Sequence, residues 1–180
     1  VIVEGSRIES QAVVIATDAV DAARLTAGEV DDPGTNAVTT WWFAAPEPPV
    51  QRPLIVLNGN DTGAINNLAV LSQVSPSYSP DERALIAVSA PTVDVDESAI
   101  RTNLIEWYGD VVESWETVRV DAIERAQPRQ NVGEDPDQSV RLSSGMFVAG
   151  DHRQHPSING ALVSGCRAGD AVAARLCRDC

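Results

Sequence analysis

Residues 146–174, MFVAGDHRQHPSINGALVSGCRAGDAVAA, constrain this chain more than any other stretch, because they read as a strand, an acidic turn and a helix with very little side chain. Met146 to Ala149 is an apolar run of strand length that ends in Gly150-Asp151. From Ile158, apolar and small residues recur at Ala161, Leu162, Gly165, Gly169, Val172 and Leu176, the spacing of one helix face, and that face is expected to be buried. Gly160, Ala161, Gly165, Ala168 and Gly169 are small enough for the helix backbone to press close to a sheet or a flat ligand. Ser157, after Pro156, is the expected N-cap. The first turn then carries unpaired N–H groups and the positive end of the helix dipole, which suits an electron-rich carbonyl or a phosphate.

Composition limits the partners. A chain of 180 residues with 43% hydrophobic content holds one ordinary domain or two small lobes, and is not of disordered composition. It has no apolar run near the ~20 residues that span a bilayer and no signal-peptide pattern at its start. All 13 basic residues are arginine, set against 26 acidic residues for a net charge of −13. Nucleic acid and anionic membrane surfaces are therefore unsuitable partners, and any dinucleotide phosphate must be held by local dipoles or single arginines.

Three cysteines, an odd number, point to a reducing, cytoplasmic setting. His152 and His155 with Cys177 and Cys180 would be four zinc ligands, but they sit at opposite ends of a six-turn helix, ~30 Å apart at 1.5 Å per residue, so no metal site is expected. Cys166, inside the small-residue helix, is expected as a buried packing residue.

Along the chain, Val1-Ile2-Val3 and Ser6-Arg7-Ile8 flank Glu4-Gly5 as a hairpin, Ala12 to Ala16 is a buried strand, and Thr17-Asp18 caps a helix through Leu25. Ala37 to Ala44, Pro53 to Leu57, Ile65 to Leu71 and Ala84 to Ser89 are four strands of an antiparallel meander, with a turn at residues 58–61. A helix is expected from Asp94, in a capping box with Glu97, with Ile100, Leu104, Trp107 and Tyr108 on one face and Gly109 as its stop. Thr117 to Ile123 is a fifth strand, and Gln127 to Ser139 a loop between lobes. The aromatic residues Trp41, Trp42, Phe43, Trp107 and Trp115 are expected to fill cores.

Gly150-Asp151 followed by Gly160-Ala161 and Ser164-Gly165 resembles the C-terminal FAD-binding signature of the flavin amine oxidase, phytoene desaturase and protoporphyrinogen oxidase superfamily. AVVIATDA near the start looks like the penultimate piece of the same FAD domain, and TTWWFAAPEPP, LIVLNGNDTGAINNLAVLSQVSPSYSP and RALIAVSAP look like its substrate-domain sheet. The resemblance implies an α+β chain, with residues 1–30 and 140–180 forming the C-terminal part of an FAD-binding lobe and residues 31–139 a mostly antiparallel substrate-domain sheet plus helix. It assigns cofactor contacts to Gly150, Asp151, Asn159, Gly160 and Ala161, with Asp151 on a ribityl or ribose hydroxyl and the Gly160-Ala161 peptide near the pyrimidine edge of the flavin. His152, Arg153 and His155 would lie by the flavin or the channel above it, where a histidine could act as acid or base near neutral pH.

The GxGxxG turn and its ribose-binding acid occur nowhere in the 180 residues. The chain is thus expected to be the C-terminal portion of an FAD-dependent desaturase, dehydrogenase or isomerase acting on an apolar substrate, partnered by a missing N-terminal dinucleotide-binding segment. FAD would be held in the complete protein and not by this chain alone, which would be inactive; the catalytic residues are unassigned. Amine oxidation is disfavoured, since such oxidases place a lysine near the flavin and this chain has none. A non-catalytic binding module of the same ancestry and a flavin amine oxidase stay open as alternatives.

Overall fold

The computed structural model describes residues 1–60 and 62–177. Asp61, the last residue of the expected 58–61 turn, and Cys180 of the terminal Cys-x-x-Cys lie outside the described residues. The chain is α+β and divides into two compact units, residues 1–35 with the described residues of 127–180, and residues 36–126.

The first unit opens with a hairpin of β1 (Ile2–Val3) and β2 (Ser6–Arg7), turned by Glu4 and Gly5, both at positive φ. Then β3 (Val14–Ile15) leads to α1 (Ala19–Leu25), whose N-cap Asp18 accepts the Asp21 N–H at 2.8 Å. The second unit is built on β4 (Thr35–Ala45), β5 (Ile55–Leu57), β6 (Asn67–Val70), the short α2 (Leu71–Val74), β7 (Ala84–Ala90), α3 (Glu97–Tyr108) and β8 (Glu116–Pro128). The chain then returns to the first unit through β9 (Phe147–Val148) and α4 (Ile158–Leu176).

The five strands of the second unit lie in the order β5-β6-β7-β4-β8, with β5/β6, β6/β7 and β7/β4 antiparallel. This corrects the expected plain meander: β7 returns beside β4, the long strand between β7 and β8. Residues 46–53 between β4 and β5 include four prolines, which cannot donate to a sheet ladder, so the chain leaves the sheet there and re-enters at its edge. Alternation sorts the faces. Ile86, Val88, Leu68, Val70, Trp41 and Phe43 point to one side and pack with Ile100, Leu104, Val112 and Trp115. Trp42 faces the other way and donates its indole N–H to Asp121 at 2.8 Å, so it is not the core residue expected.

The α3 cap also differs from expectation. Asp96, not Asp94, is the N-cap and accepts from the Ala99 N–H at 2.9 Å; two carboxylates stand within three residues of each other and only one has the register to reach the third amide. Gly109, at φ 78°, ends the helix as expected.

Arg101 ties this unit together. Its guanidinium lies 5.0 Å above the Phe43 ring and pairs with Glu97 at 2.7 Å. It donates to the carbonyls of Val112 (3.1 Å) and Trp115 (3.0 Å) and to the Thr117 hydroxyl (2.8 Å). One side chain thus joins the helix, the 3-10 turn Asp110–Ser114 and the start of β8. Burial raises the Glu97 carboxyl, but its bonds from Thr117 and Arg101 more than offset this and hold it below the usual range. Arg101→Met should leave the Trp115 carbonyl and the Glu97 carboxylate without their Arg101 partner, the Val112 carbonyl keeping only the Trp115 N–H, and cost about 2–3 kcal/mol in urea unfolding, and Arg101→Lys should recover less than half of that because the ammonium lacks the fork.

Candidate functional site

Two strands from opposite ends of the chain create the site. β3 and β9 run parallel, with Val14 opposite Phe147 and Ile15 opposite Val148. The other edge of β9 is closed by residues 140–142, through Val148 N–H to the Val140 carbonyl (3.0 Å) and Leu142 N–H to the Met146 carbonyl (3.0 Å). Successive residues point to opposite faces: Val148 packs with Ala22 of α1 and Val30, whereas Phe147 and Ala149 pack with Ala168 and Ala171 of α4. The result is a small α/β/α layer, with Gly150-Asp151 at the carboxyl end of its strand.

Ser164 fixes that end. Its fully buried hydroxyl accepts the Gly150 N–H at 2.9 Å and donates to the Ala161 carbonyl at 2.9 Å. Gly150 must be glycine, because a Cβ there would run into the His152 ring and come within 3.3 Å of the Thr17 carbonyl. Residues Asp151–Arg153 then form one 3-10 turn packed against α4. Burial pushes the Asp151 carboxyl up from its ordinary value, opposed by the backbone N–H groups of His152 and Asp151.

His152 is the unexpected member. Both ring nitrogens are buried and have no hydrogen-bond partner among the described residues. Burial, helped by the neighbouring Arg153 charge and opposed by Asp18, lowers its pKa to about 4. Burial thus keeps the ring in its neutral form near pH 7 and moves its titration below the range of an unperturbed histidine. His155 is exposed.

The expected buried face of α4 is also corrected. Gly160, Ser164, Ala168 and Ala171 are buried, whereas Ile158, Ala161, Leu162, Gly165 and Gly169 are exposed. Cys166, expected to be packed, is exposed as well. A Cβ on Gly160 would overlap the His155 carbonyl oxygen of the preceding loop, and Ala168 and Ala171 are the helix residues that pack on Phe147 and Ala149. Ser157 caps as expected, accepting the Gly160 N–H at 2.9 Å, and the Ala161 N–H bonds the Ser157 carbonyl at 2.9 Å. The Gly160 and Ala161 donors are therefore engaged, and the forward-pointing donors are the amides of Ile158 and Asn159.

The segment expected as a loop is irregular from Arg129 to Ser139, and it also clasps the 151–154 turn. Arg153 donates to the Ser139 carbonyl at 3.1 and 2.7 Å, and Arg167 donates to the Gln138 carbonyl at 2.9 Å and pairs with Asp137. Between this segment and the turn lies a cavity of about 350 Å³ whose lining includes Asp31, Arg129, Asn131, Gln138, His152 and Arg153. Among the described residues no three His, Cys, Asp or Glu side chains gather as metal ligands would, and no helix is long and apolar enough to cross a membrane.

Residues 1–173 match the model of the flavin containing amine oxidoreductase family. The chain belongs to this family. An oxidoreductase from Methanosarcina mazei has a similar fold, with a TM-score of 0.61 at 17% identity over 94% of this chain and 45% of that one. The PF1083 protein from Pyrococcus furiosus is similar at a TM-score of 0.60 and 15% identity, over 90% of this chain and 40% of that one. At such identities the likeness establishes the fold. The chain spans less than half the length of either structure, and no curated protein matches it.

Within this flavin containing family member, Gly150, Asp151, Asn159, Gly160 and Ala161 all fall at one end of the α/β/α layer, at the close of β9 and the first turn of α4. Sequence reasoning did not see the Ser164 staple or the orphaned His152 ring. Ser164 carried a signal, a lone hydroxyl in a run of small residues; His152 carried none. His152 has a consequence for stability. The unfolded chain takes up a proton near pH 6.5 that the fold refuses down to about 4, so stability is full above that window and falls as pH drops through it. The loss should approach ~3 kcal/mol. Urea unfolding at pH 7 and pH 4 should show a smaller loss in His152→Leu than in the parent chain; equal losses would clear His152 of the effect.

Proposed function

We propose that this chain is the C-terminal portion of an FAD-dependent oxidoreductase, its first unit completing the FAD-binding lobe and its second unit serving as substrate domain. The observation that carries the reading is the half-buried Asp151 at the end of a parallel strand, beside a helix start with two unengaged amides. FAD fits this donor set in part. A carboxylate accepts a hydroxyl of the cofactor chain, and the Ile158 and Asn159 amides suit an electron-rich carbonyl of the ring. Nothing in the 180 residues supplies the glycine turn that holds a pyrophosphate, so that share falls to a dinucleotide-binding segment elsewhere in the complete protein. When bound, the flavin supplies hydride chemistry. The protein's part is to orient it: Ser164 fixes the Gly150 backbone, and the neutral His152 ring packs beneath the turn without adding charge.

An apolar substrate is supported by the sheet face away from α3. Across it the register aligns Ile55, Ala69, Ala87 and Trp42 in one row, two small residues between two large ones, with β8 lying beyond Trp42. Such a row offers apolar contact, with the one carboxylate beside it, Asp121, engaged by Trp42 and Arg119. With no lysine anywhere in the chain, desaturation, dehydrogenation or isomerisation of an apolar molecule fits better than amine oxidation.

The test uses the complete protein. Asp151→Ala should remove a charge-assisted hydrogen bond worth roughly 1.5–3 kcal/mol, and so weaken FAD binding about tenfold to a hundredfold. Asp170→Ala, at an exposed site of α4, should leave flavin content unchanged. The 180-residue chain by itself should purify colourless and take up FAD weakly. Full flavin retention by Asp151→Ala, or one tightly held FAD on the 180-residue chain, would defeat the assignment.

A further inference from the structure

One row on the open face of the second unit's sheet is polar. Side chains two residues apart on a strand share a face, so the apolar row of Ile55, Ala69, Ala87 and Trp42 has a neighbour in the row of Leu57, Asn67, Ser89 and Thr40. The two rows run side by side, about 7 Å apart at two residues of strand rise. Asn67, Ser89 and Thr40 are half-buried. The Thr40 and Ser89 hydroxyls lie 3.1 Å apart, so one donates to the other and one hydroxyl hydrogen is left over. The Asn67 carbonyl oxygen accepts from the Asn66 side-chain amide at 3.1 Å, which leaves the Asn67 side-chain N–H groups as donors without a partner among the described residues.

Charge is missing from the same surface. On β4 to β7, the three rows that pass through Leu85, Ala87 and Ser89 carry no charged side chain, in a chain where 22% of residues are charged. The edge strand β8 shows the ordinary solvent-facing pattern, with Glu116, Arg119, Asp121, Glu124 and Arg125 within 13 residues. We infer that Asn67, Ser89 and Thr40 are specificity-determining residues that hold a neutral oxygen of the substrate, which is therefore an apolar molecule bearing a carbonyl or hydroxyl group, neither a pure hydrocarbon nor an ion. The inference rests on the reading of this face as the substrate wall. A hydrocarbon laid across both rows would bury the Asn67 N–H groups unpaired, and a charged group would lose its water with no counter-charge to meet it. Donors built to meet an oxygen discriminate against an analogue that lacks one. An oxygen held in the polar row also fixes where the apolar body lies over Ala69 and Ala87.

α-Tetralone and tetralin share a carbon skeleton and differ by one neutral carbonyl oxygen, so amide NMR titration of the 180-residue chain with each separates the two rows. Both should shift the Ala69 and Ala87 signals, and the ketone alone should shift the Asn67 side-chain amide. In Asn67→Leu, and separately in the double variant Thr40→Val with Ser89→Ala, α-tetralone affinity should fall roughly threefold to tenfold, the scale of one neutral hydrogen bond, while tetralin affinity holds or rises. Two independent variants keep the test decisive if one of them fails to fold, and tetralin binding itself reports that the sheet is intact. Should α-tetralone lose no more affinity than tetralin in the folded variants, the polar row is a solvated surface and the inference is overturned, with the apolar wall retained. Should neither ligand shift Ala69 or Ala87 in the parent chain, the wall itself is overturned and the inference goes with it.

Discussion

The parallel pairing of Val14–Ile15 with Phe147–Val148 is the constraint from which the rest of the molecule follows. A parallel pair cannot be closed by a tight turn; the chain must leave one strand and travel back to begin the next from the same end. Here the crossover is not a single helix. It contains α1 and the whole of the second unit before the chain returns at Gln127. The second unit can therefore carry its own core without disturbing the strand pair. Its stability depends on the sheet, α3 and the Arg101 clamp, while the Asp151 turn depends on β9 and α4.

Close approach is the device that positions Asp151. A helix can sit tightly on a strand only if its inner face is nearly bare, and Gly160, Ser164, Ala168 and Ala171 meet that demand. Bareness alone would leave the Gly150 amide without an acceptor, and the Ser164 hydroxyl supplies one. The same closeness shapes the local electrostatics. Burial raises the Asp151 carboxyl and lowers the His152 imidazole, so both are displaced toward their neutral forms by one cause. The turn is a place where charge is expensive, which suits it to hydrogen bonding with an uncharged hydroxyl.

Much of this was legible in the sequence, and the failures have physical reasons. The strand runs at 37–44 and 84–89, the stop at Gly109 and the Ser157 cap could be read because each depends on local chemistry. The inner face of α4 could not be read correctly. Ala161, Leu162 and Gly169 belonged to the periodic stripe yet are exposed, and of that stripe Val172 packs on the core; close packing instead buried Gly160, Ser164, Ala168 and Ala171. The place of β4 between β7 and β8 was hidden because it depends on where a proline-rich connection re-enters the sheet. The lowered pKa of His152 was not legible because burial sets it, a tertiary fact.

The arginine-only composition also finds a structural use. Arg129, Arg153, Arg167 and Arg175 donate to the carbonyls of Thr35, Ser139, Gln138 and Gly145, and Arg101 and Arg141 donate to those of Val112, Trp115 and Ala171. Those of Gln138, Ser139 and Gly145 lie in irregular segments outside any helix or strand. A planar fork can serve such an oxygen and still pair with a carboxylate or lie over a ring, as Arg101 does with Glu97 and Phe43. An ammonium presents a single point and loses that double duty. These guanidinium groups are thus engaged by the chain's own backbone, and the amides of Ile158 and Asn159 stand where the field of α4 is strongest.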